Sequence, residues 1–151
     1  MLVCWDQWYP EAARLTAMRG AQLLMYPTAI GWYTTDAAPG SSAGTHGETA
    51  ETRAQQVEAW RTIQRSHAIA NGVYVAACNR IGVEDELQFW GRSFVADPTG
   101  QVIAEASGDQ PEVLYSEIDV DTVEQQRQGW PFFRDRRIDA YGSITARFLD
   151  E

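Results

Sequence analysis

A long amphipathic helix pattern between two short apolar segments constrains the fold most. The pattern begins at Thr49, a typical N-cap residue, and ends at Gly72, a typical residue after a helix. The residues predicted to face inward are Val57, Trp60, Ile63 and His67. Residues 21–27 (AQLLMYP) and 73–78 (VYVAAC) have the length and composition of buried strands, the second buried on both faces. This alternation predicts an α/β domain with a mixed sheet.

The sequence before and between these elements predicts a helix, a loop and a connection. Residues 10–20 begin with Pro at a first-turn position and end with Gly, which predicts a short helix. Residues 31–48 are rich in Gly, Ser, Thr and Ala and predict a long irregular loop, a kind of segment that is usually functional or mobile. Residues 79–88 are interpreted as a polar connection.

The last third of the chain predicts a hairpin, a strand and a helix. Residues 93–105 carry the turn sequence DPTG between two apolar segments, which favours a hairpin. Residues 112–119 alternate apolar and polar side chains and are predicted to form a last strand. Residues 119–129 predict a short helix, and a tail rich in arginine and aromatic residues follows it.

The charge balance and the apolar segments exclude two classes of partner. With 12 basic and 21 acidic residues the formal charge is −9, which disfavours nucleic acid because nucleic-acid binding needs Lys and Arg to neutralise phosphates. The longest apolar segments, 21–26 and 73–78, are far shorter than the roughly 20 residues of a membrane helix, so no membrane association is predicted.

The cysteines and histidines indicate neither a disulfide framework nor a metal centre. Cys4 and Cys78 lie far apart without CxxC spacing, which favours a reducing, cytoplasmic setting. His46 and His67 lack further Cys or His partners at ligand spacing. No metal centre is therefore expected.

Cys4 lies where a strand is predicted to turn into a helix. The positive end of a helix dipole favours the thiolate form of a cysteine, and a sharp turn of this kind presents nucleophiles in α/β hydrolases. The alternative is that Cys4 is a small buried apolar residue, the commonest fate of a free cysteine. The spacing alone leaves both interpretations open.

The neighbouring residues carry a resemblance that extends over nearly the whole chain. The matching segments, in order, are CWDQWYPEAARL, GAQLLMYPTAIGW, HAIANGVYVAACNRIG, FWGRSFVADPTGQVIAEA and RQGWPFFRDRRIDAYG. They closely resemble the carbon–nitrogen hydrolases of the nitrilase superfamily, and within it the N-carbamoylputrescine amidases. The resemblance implies a four-layer α-β-β-α sandwich with mixed β-sheets, of which this chain would form the later half.

The resemblance also implies a mechanism that uses no metal and no organic cofactor. Such enzymes attack a non-peptide C–N bond with a cysteine, use a glutamate as general base, and stabilise the tetrahedral intermediate with a lysine and backbone N–H groups. Mapped onto this chain, Cys4 is the nucleophile and the backbone N–H of Trp5 lies at the oxyanion position. The glutamate and lysine of the family lie upstream of the cysteine, but only three residues precede Cys4 and the sequence contains no lysine. This chain alone is therefore expected to be inactive.

Further residues are candidates for the substrate pocket, since ligands bind where strands end in α/β sheets. Asp6 either orders the turn at Cys4 or faces a cationic substrate. The candidate lining of the pocket, which could equally be a plain turn from strand to loop, is Thr28, Ala29, Ile30, Gly31 and Trp32. Asn79 shares the position of these residues with a weaker signal, and His67 is interpreted as a core residue rather than a partner of Cys4.

The resemblance predicts two regions of the chain and one activity, with two alternatives to that activity. Residues 1–129 are predicted to form a partial carbon–nitrogen hydrolase domain, and residues 130–151 a tail at the subunit interface of a homo-oligomer. The predicted activity is hydrolysis of a small ureido or amide substrate, N-carbamoylputrescine giving putrescine, ammonia and carbon dioxide in polyamine synthesis. The alternatives are another ureido or ω-amide substrate, or a non-catalytic truncated chain.

Overall fold

A computed structural model of the chain describes residues 1–34 and 49–149. Its α-helices are α1 (Pro10–Met18), α2 (Ala50–Asn71) and α3 (Val120–Gly129). Short 3-10 helices span Cys4–Trp8, Ile138–Ala140 and Gly142–Thr145. The strands are β1 (Leu23–Thr28), β2 (Gly31–Tyr33), β3 (Tyr74–Asn79), β4 (Ile81–Glu84), β5 (Leu87–Trp90), β6 (Phe94–Ala96) and β7 (Val102–Glu105). Most of the loop predicted at 31–48 lies outside the described residues.

The strands form two sheets. The larger has the order β1-β3-β6-β7, with β1 and β3 parallel and the other pairs antiparallel. The smaller is antiparallel, in the order β2-β5-β4. The prediction of an α/β fold with a mixed sheet is thereby confirmed, because the parallel pair is joined through α2 as parallel strands require.

The ends of α2 are fixed by the residues that the sequence indicated. The hydroxyl of Thr49 accepts a hydrogen bond of 3.1 Å from the backbone N–H of Thr52. Gly72 follows the helix with a φ of 55°, a left-handed conformation that glycine adopts without strain. Local signals alone therefore set the length of the helix that covers the sheet.

The core lies between the helices and one face of the larger sheet. Small residues of α1, Ala13 and Ala17, allow this helix to approach the sheet closely. The indole of Trp60 is fully buried and meets the ring of Phe94 edge-on at 5.5 Å between centroids. The other buried apolar residues of this core are Leu24, Tyr26, Ala68, Val73, Val75, Ala77, Trp90 and Ala96.

The opposite face of the larger sheet is apolar and only partly covered by the described residues: Tyr74 is buried there, whereas Ala76 and Val95 are partly exposed. Met25 of β1, Ala76 of β3 and Val95 of β6 lie side by side in the strand register, and Met25 is 49% exposed. Cys78 is also exposed. The prediction that residues 73–78 are buried on both faces is therefore wrong for this chain, because within its described part the helices cover only one face.

The interpretation of residues 79–88 as a polar connection is also wrong. These residues contribute to the hairpin of β4 and β5, whose register pairs Glu84 with Leu87 across a tight turn. Asp85 in that turn has a φ of 51°, a left-handed conformation that Asp tolerates better than most residues. The polar side chains of this hairpin are exposed to solvent. Their polarity therefore did not distinguish exposed strands from an irregular connection.

The turn predicted in the sequence DPTG is present, and the strand predicted after it is absent. One carboxylate oxygen of Asp97 accepts the backbone N–H groups of Thr99 and Gln101 at 2.8 and 3.0 Å, which closes the β6–β7 hairpin. Residues 112–119, in contrast, form no strand, and Tyr115 is 85% exposed. Alternation predicts a strand only where a neighbouring strand accepts its backbone hydrogen bonds, and the described residues offer none there.

Helix α3 begins where the sequence indicated, with Asp119 as its N-cap. The Asp119 side chain accepts the N–H of Asp121 at 2.9 Å. The guanidinium of Arg127, near the end of the helix, donates to the backbone oxygens of Asn71 at 3.3 Å and Ala21 at 3.0 Å. This arginine ties α3 to the end of α2 and to the start of β1. None of the helices in residues 1–34 and 49–149 has the length and apolar character needed to cross a membrane.

Candidate active site

Cys4 begins the first 3-10 helix in a strained backbone conformation. Its φ is 52°, which is uncommon for a residue with a Cβ and which marks a sharp turn. Residues 1–3 do not form the predicted strand, but the N–H of Leu2 donates to the oxygen of Met25 at 2.9 Å and anchors this segment beside β1. The carboxylate of Asp6 accepts the N–H of Val3 at 3.2 Å. This hydrogen bond supports the first of the two roles considered for Asp6, which is to order the turn at Cys4.

The sulfur of Cys4 lies at the end of β1. The hydroxyl of Thr28 is 3.6 Å from the Cys4 sulfur and donates to it. The side chain of Gln7, which is fully buried, donates to the same hydroxyl oxygen at 3.2 Å. The indole N–H of Trp60 in turn donates to the Gln7 side-chain oxygen at 2.8 Å. Cys4 is thus a partly buried thiol held by polar contacts rather than an apolar residue of the core.

Trp5 lies in the first turn of the same 3-10 helix. Backbone N–H groups in a first turn have no acceptor within their own helix, so such a group can bind an external oxygen. The Trp5 indole is 63% exposed and meets the ring of Trp8 edge-on at 6.4 Å. The position suits the backbone role that the sequence analysis assigned to Trp5.

The remaining candidate residues, 29–32, lead from the larger sheet to the smaller one. Asn79 at the end of β3 holds Ile30 on both sides of the backbone, because its side-chain oxygen accepts the Ile30 N–H at 2.9 Å and its amide donates to the Ile30 oxygen at 3.0 Å. A Cβ at Gly31 would lie 2.2 Å from the backbone oxygen of Gln88, so only glycine fits there. Ala29 is exposed.

Trp32 packs within an aromatic group rather than standing alone in a loop. Its ring lies 5.2 Å from that of Trp90, centroid to centroid, and the guanidinium of Arg53 lies 5.4 Å above it. The structure therefore brings Thr28 to Cys4 directly, while Ile30, Gly31 and Trp32 are held by the strand ends and by the smaller sheet.

His67 belongs to the core, as expected. It is 2% exposed, its Nε2 lies 2.9 Å from the backbone oxygen of Gln7, and its ring lies 5.9 Å from that of Tyr26. Since a carbonyl oxygen only accepts, Nε2 carries the proton in this contact. Burial lowers the pKa of His67 below its ordinary value of 6.5, against smaller raising effects of the Gln7 oxygen and of Glu11. His67 supports the segment after Cys4 as a neutral ring.

The buried His67 predicts that the protein loses stability in mild acid. Because its pKa is lowered in the folded state, the unfolded chain binds the proton first as pH falls through about 6.5, and the free energy of unfolding decreases. Above that pH the contribution is constant. We expect the urea midpoint to fall between about pH 7.5 and about pH 5.5. His67→Gln should flatten this dependence; equal slopes in wild type and His67→Gln would contradict the assignment.

Sequence reasoning missed Gln7 and the second role of Trp60. Gln7 is a polar residue among aromatic ones, and a buried amide needs partners for both its oxygen and its nitrogen. Trp60 was predicted to face the core, which it does, but its N–H also needed an acceptor. That pairing depends on a contact over 53 positions, which no local pattern indicates.

Comparison with known proteins agrees with this geometry. Residues 1–128 match the carbon-nitrogen hydrolase family. An N-carbamoylputrescine amidase of Arabidopsis thaliana is 41% identical over 147 residues, which are 92% of this chain and 44% of that protein. The crystal structure of a carbon-nitrogen hydrolase from Helicobacter pylori superposes with a TM-score of 0.86 at 45% identity, over 97% of this chain and 48% of that one.

A third relative carries a covalent ligand. A mutant of the amidase from Nesterenkonia, with the acetamide moiety of fluoroacetamide added to its active-site cysteine, superposes with a TM-score of 0.61 at 28% identity, over 91% of this chain and 40% of that one. The chain spans about half the length of the relatives it matches. A family match over residues 1–128, supported by these superpositions, shows that the chain belongs to the carbon–nitrogen hydrolases of the nitrilase superfamily.

Proposed function

We propose that this chain carries the nucleophile of an amidohydrolase and that the nucleophile is Cys4. The observation that carries the proposal is the strained turn at Cys4, whose sulfur accepts a hydrogen bond from Thr28. A residue held in an uncommon conformation by its surroundings is typical of a catalytic position. The covalent adduct on the active-site cysteine of the Nesterenkonia amidase supports the same role.

In the proposed reaction the Cys4 thiolate attacks the carbonyl carbon of the substrate. The C–N bond breaks, nitrogen leaves with a proton as ammonia, and a thiol-ester-like intermediate remains on sulfur. One water then breaks the carbon–sulfur bond and releases the carbamic acid of putrescine, with the proton returned to the thiol. The carbamic acid loses carbon dioxide as its C–N bond breaks, so that N-carbamoylputrescine and water give putrescine, ammonia and carbon dioxide. The backbone N–H of Trp5 is proposed to bind the negatively charged oxygen of the tetrahedral intermediate. The resemblance implies a glutamate as general base and a lysine in addition, and this chain contains no lysine.

N-carbamoylputrescine is the substrate that we propose first. The Arabidopsis relative is an N-carbamoylputrescine amidase. The ammonium group of this substrate suits an acidic side chain, and Asp6 provides one within the first 3-10 helix. Trp32, the aromatic candidate on β2, has the Arg53 guanidinium 5.4 Å from its ring. Thr28, Ala29, Ile30 and Gly31 are proposed to line the same pocket. A β-ureido acid, in contrast, needs a cationic group for its carboxylate, and Arg53 beside Trp32 makes it the first alternative to test.

A substrate panel tests this choice. The complete family-length enzyme should release ammonia faster from N-carbamoylputrescine than from N-carbamoyl-β-alanine or from an ω-amide of a dicarboxylic acid. Asp6→Asn should lower the preference by raising KM for N-carbamoylputrescine alone, by about two- to fivefold, as expected when an exposed charge pair is lost. Equal rates on all three substrates, or a preference for an anionic one, would assign the chain to another amidase of the family.

We further propose that residues 1–129 form the hydrolase portion and residues 130–151 a tail at the interface of a homo-oligomer. Large apolar side chains of the described tail are exposed, which is typical of a binding surface. They are Trp130, Phe132, Ile138, Tyr141, Ile144, Phe148 and Leu149. The arginines are less available than the sequence suggested, since Arg134 pairs with Asp135 and Arg137 with Asp139.

Removing the tail is expected to shift the oligomer toward monomer. In the complete enzyme, deletion of residues 130–151 should lower the mass measured by light scattering, because the exposed apolar side chains supply the interface. The double substitution Ile144→Asp, Phe148→Asp should also lower the mass measured by light scattering. Ser143→Asp is the matched control, because it adds a charge in the 3-10 helix Gly142–Thr145 without removing an apolar side chain. An unchanged mass in the deletion would contradict the interface role.

The cellular setting is proposed from the cysteines. Both cysteines of the chain are free, and one of them is exposed, which fits a reducing compartment such as the cytoplasm.

A further inference from the structure

A chain of hydrogen bonds leads from the middle of α2 to the sulfur of Cys4. The Trp60 Nε1–H donates to Gln7 Oε1 at 2.8 Å, Gln7 Nε2 donates to Thr28 Oγ1 at 3.2 Å, and Thr28 Oγ1 donates to Cys4 Sγ at 3.6 Å. Trp60 and Gln7 are both fully buried. The contacts span three elements that are distant in sequence, so the protein core determines what reaches the sulfur.

The chemistry of the groups fixes the direction of the first two hydrogen bonds, and of the third when Cys4 is a thiolate. An indole N–H is a donor only, so the Gln7 side-chain oxygen must face Trp60. The amide nitrogen of Gln7 therefore faces Thr28, and as a donor it occupies a lone pair of the Thr28 hydroxyl. The Thr28 hydroxyl keeps its own proton, and a thiolate can only accept, so the contact with the Cys4 thiolate uses the hydroxyl proton of Thr28.

We propose that Thr28 donates a hydrogen bond to the Cys4 thiolate and that Gln7 and Trp60 are the positioning residues that orient it. The proposal rests on the proposed role of Cys4 as nucleophile. A donor to the charged form of a thiol favours that form, and the thiolate is the form that attacks. Thr28 therefore contacts the reacting sulfur itself, beyond the substrate contact expected of it. The His67 ring, bonded to the Gln7 backbone oxygen at 2.9 Å, holds Gln7 from the other side.

Other titratable groups near this turn stay in place when Thr28 is changed. They are Asp6 on the helix of Cys4, Tyr26 on β1, His67 on α2 and Glu11 on α1. Burial raises the pKa of Tyr26 and lowers the pKa of His67, so both side chains are neutral near pH 7. A comparison between variants of Thr28 alone thus isolates the hydroxyl.

The test is the rate at which iodoacetamide alkylates Cys4 in the intact chain, measured by peptide mass across a pH series. In this reaction the sulfur forms a bond to the CH2 carbon and iodide leaves. Cys78 in the same molecules is the reference. Thr28→Val removes the hydroxyl at nearly constant shape and should slow Cys4 labelling at about pH 7 by about three- to tenfold relative to Cys78. The pH of half-maximal rate should move upward.

Two further variants separate orientation from packing. Thr28→Ser keeps the hydroxyl and should label within about twofold of wild type. Trp60→Phe keeps an aromatic ring but removes the N–H that orients Gln7, and should slow labelling by an amount between those of the two Thr28 variants. This variant also keeps the test decisive if Thr28→Val fails to fold, because it leaves the end of β1 unchanged.

The outcomes distinguish this inference from the proposed function. Preferential labelling of Cys78 in the wild type would overturn the role of Cys4 itself. Preferential labelling of Cys4 in the wild type, with no change in Thr28→Val, would overturn only the hydrogen bond from Thr28. If Cys4 is labelled as slowly in Thr28→Ser as in Thr28→Val, the hydrogen bond from Thr28 is also overturned, because the slowing then comes from packing. Slowing in Thr28→Val and Trp60→Phe with recovery in Thr28→Ser is the expected result.

Discussion

Replacement of Cys4 by serine is expected to abolish turnover in the complete family-length enzyme, with a fall in kcat of roughly 10³-fold or more. A hydroxyl is far less acidic than a thiol, so the attacking anion is nearly absent near neutral pH. The backbone of the turn and the contact with Thr28 suit either side chain, so the loss should appear in kcat rather than in substrate binding. Ammonia release under saturating N-carbamoylputrescine measures it.

Cys78→Ser is the matched control. Cys78 lies at the end of β3, paired in register with Pro27, and is exposed. A serine in an exposed position loses no buried contact, so kcat should remain within about twofold of wild type. If Cys78→Ser inactivates the enzyme and Cys4→Ser does not, the nucleophile has been assigned to the wrong cysteine.

The parts of the fold that the sequence predicted correctly are those set by local chemistry. Thr49 and Gly72 determine the ends of α2 through contacts within a few residues. Asp97 closes a hairpin turn with its own side chain. The wrong predictions concern segments whose structure depends on neighbouring strands or helices. Residues 112–119 have the alternation of a strand but no strand beside them among the described residues, and residues 73–78 have the composition of a doubly covered strand with one covered face.

The candidate site divides in the same way. The sequence and its family resemblance indicated Cys4 and the end of β1, and the structure brings Thr28 to the Cys4 sulfur. Gln7 carried no signal, because its function depends on Trp60, a residue distant in sequence on another helix. A residue that orients another through a buried hydrogen bond is defined by tertiary contacts, so no spacing pattern indicates it.

The largest effect that we expect concerns the chain by itself. The purified 151-residue chain should release no ammonia from N-carbamoylputrescine, because acyl transfer needs a general base within about 3 Å of the proton it takes, as well as donors to the oxyanion. The resemblance to the carbon–nitrogen hydrolases implies that a glutamate and a lysine supply these groups. This chain contains no lysine and matches less than half of its Arabidopsis relative.

Addition of a separately expressed segment that carries the family's glutamate and lysine should restore activity if the two pieces assemble. The uncovered apolar face formed by Met25, Ala76 and Val95 favours assembly, since an exposed sheet face of this kind gains free energy when it is covered. The same segment with its lysine changed to methionine is the matched control, because it can cover the face without supplying the charge. Ammonia release from the chain alone would contradict the requirement for the missing groups. Release only with the unmodified segment would show that the two halves form one site, with Cys4 as the part supplied by this chain.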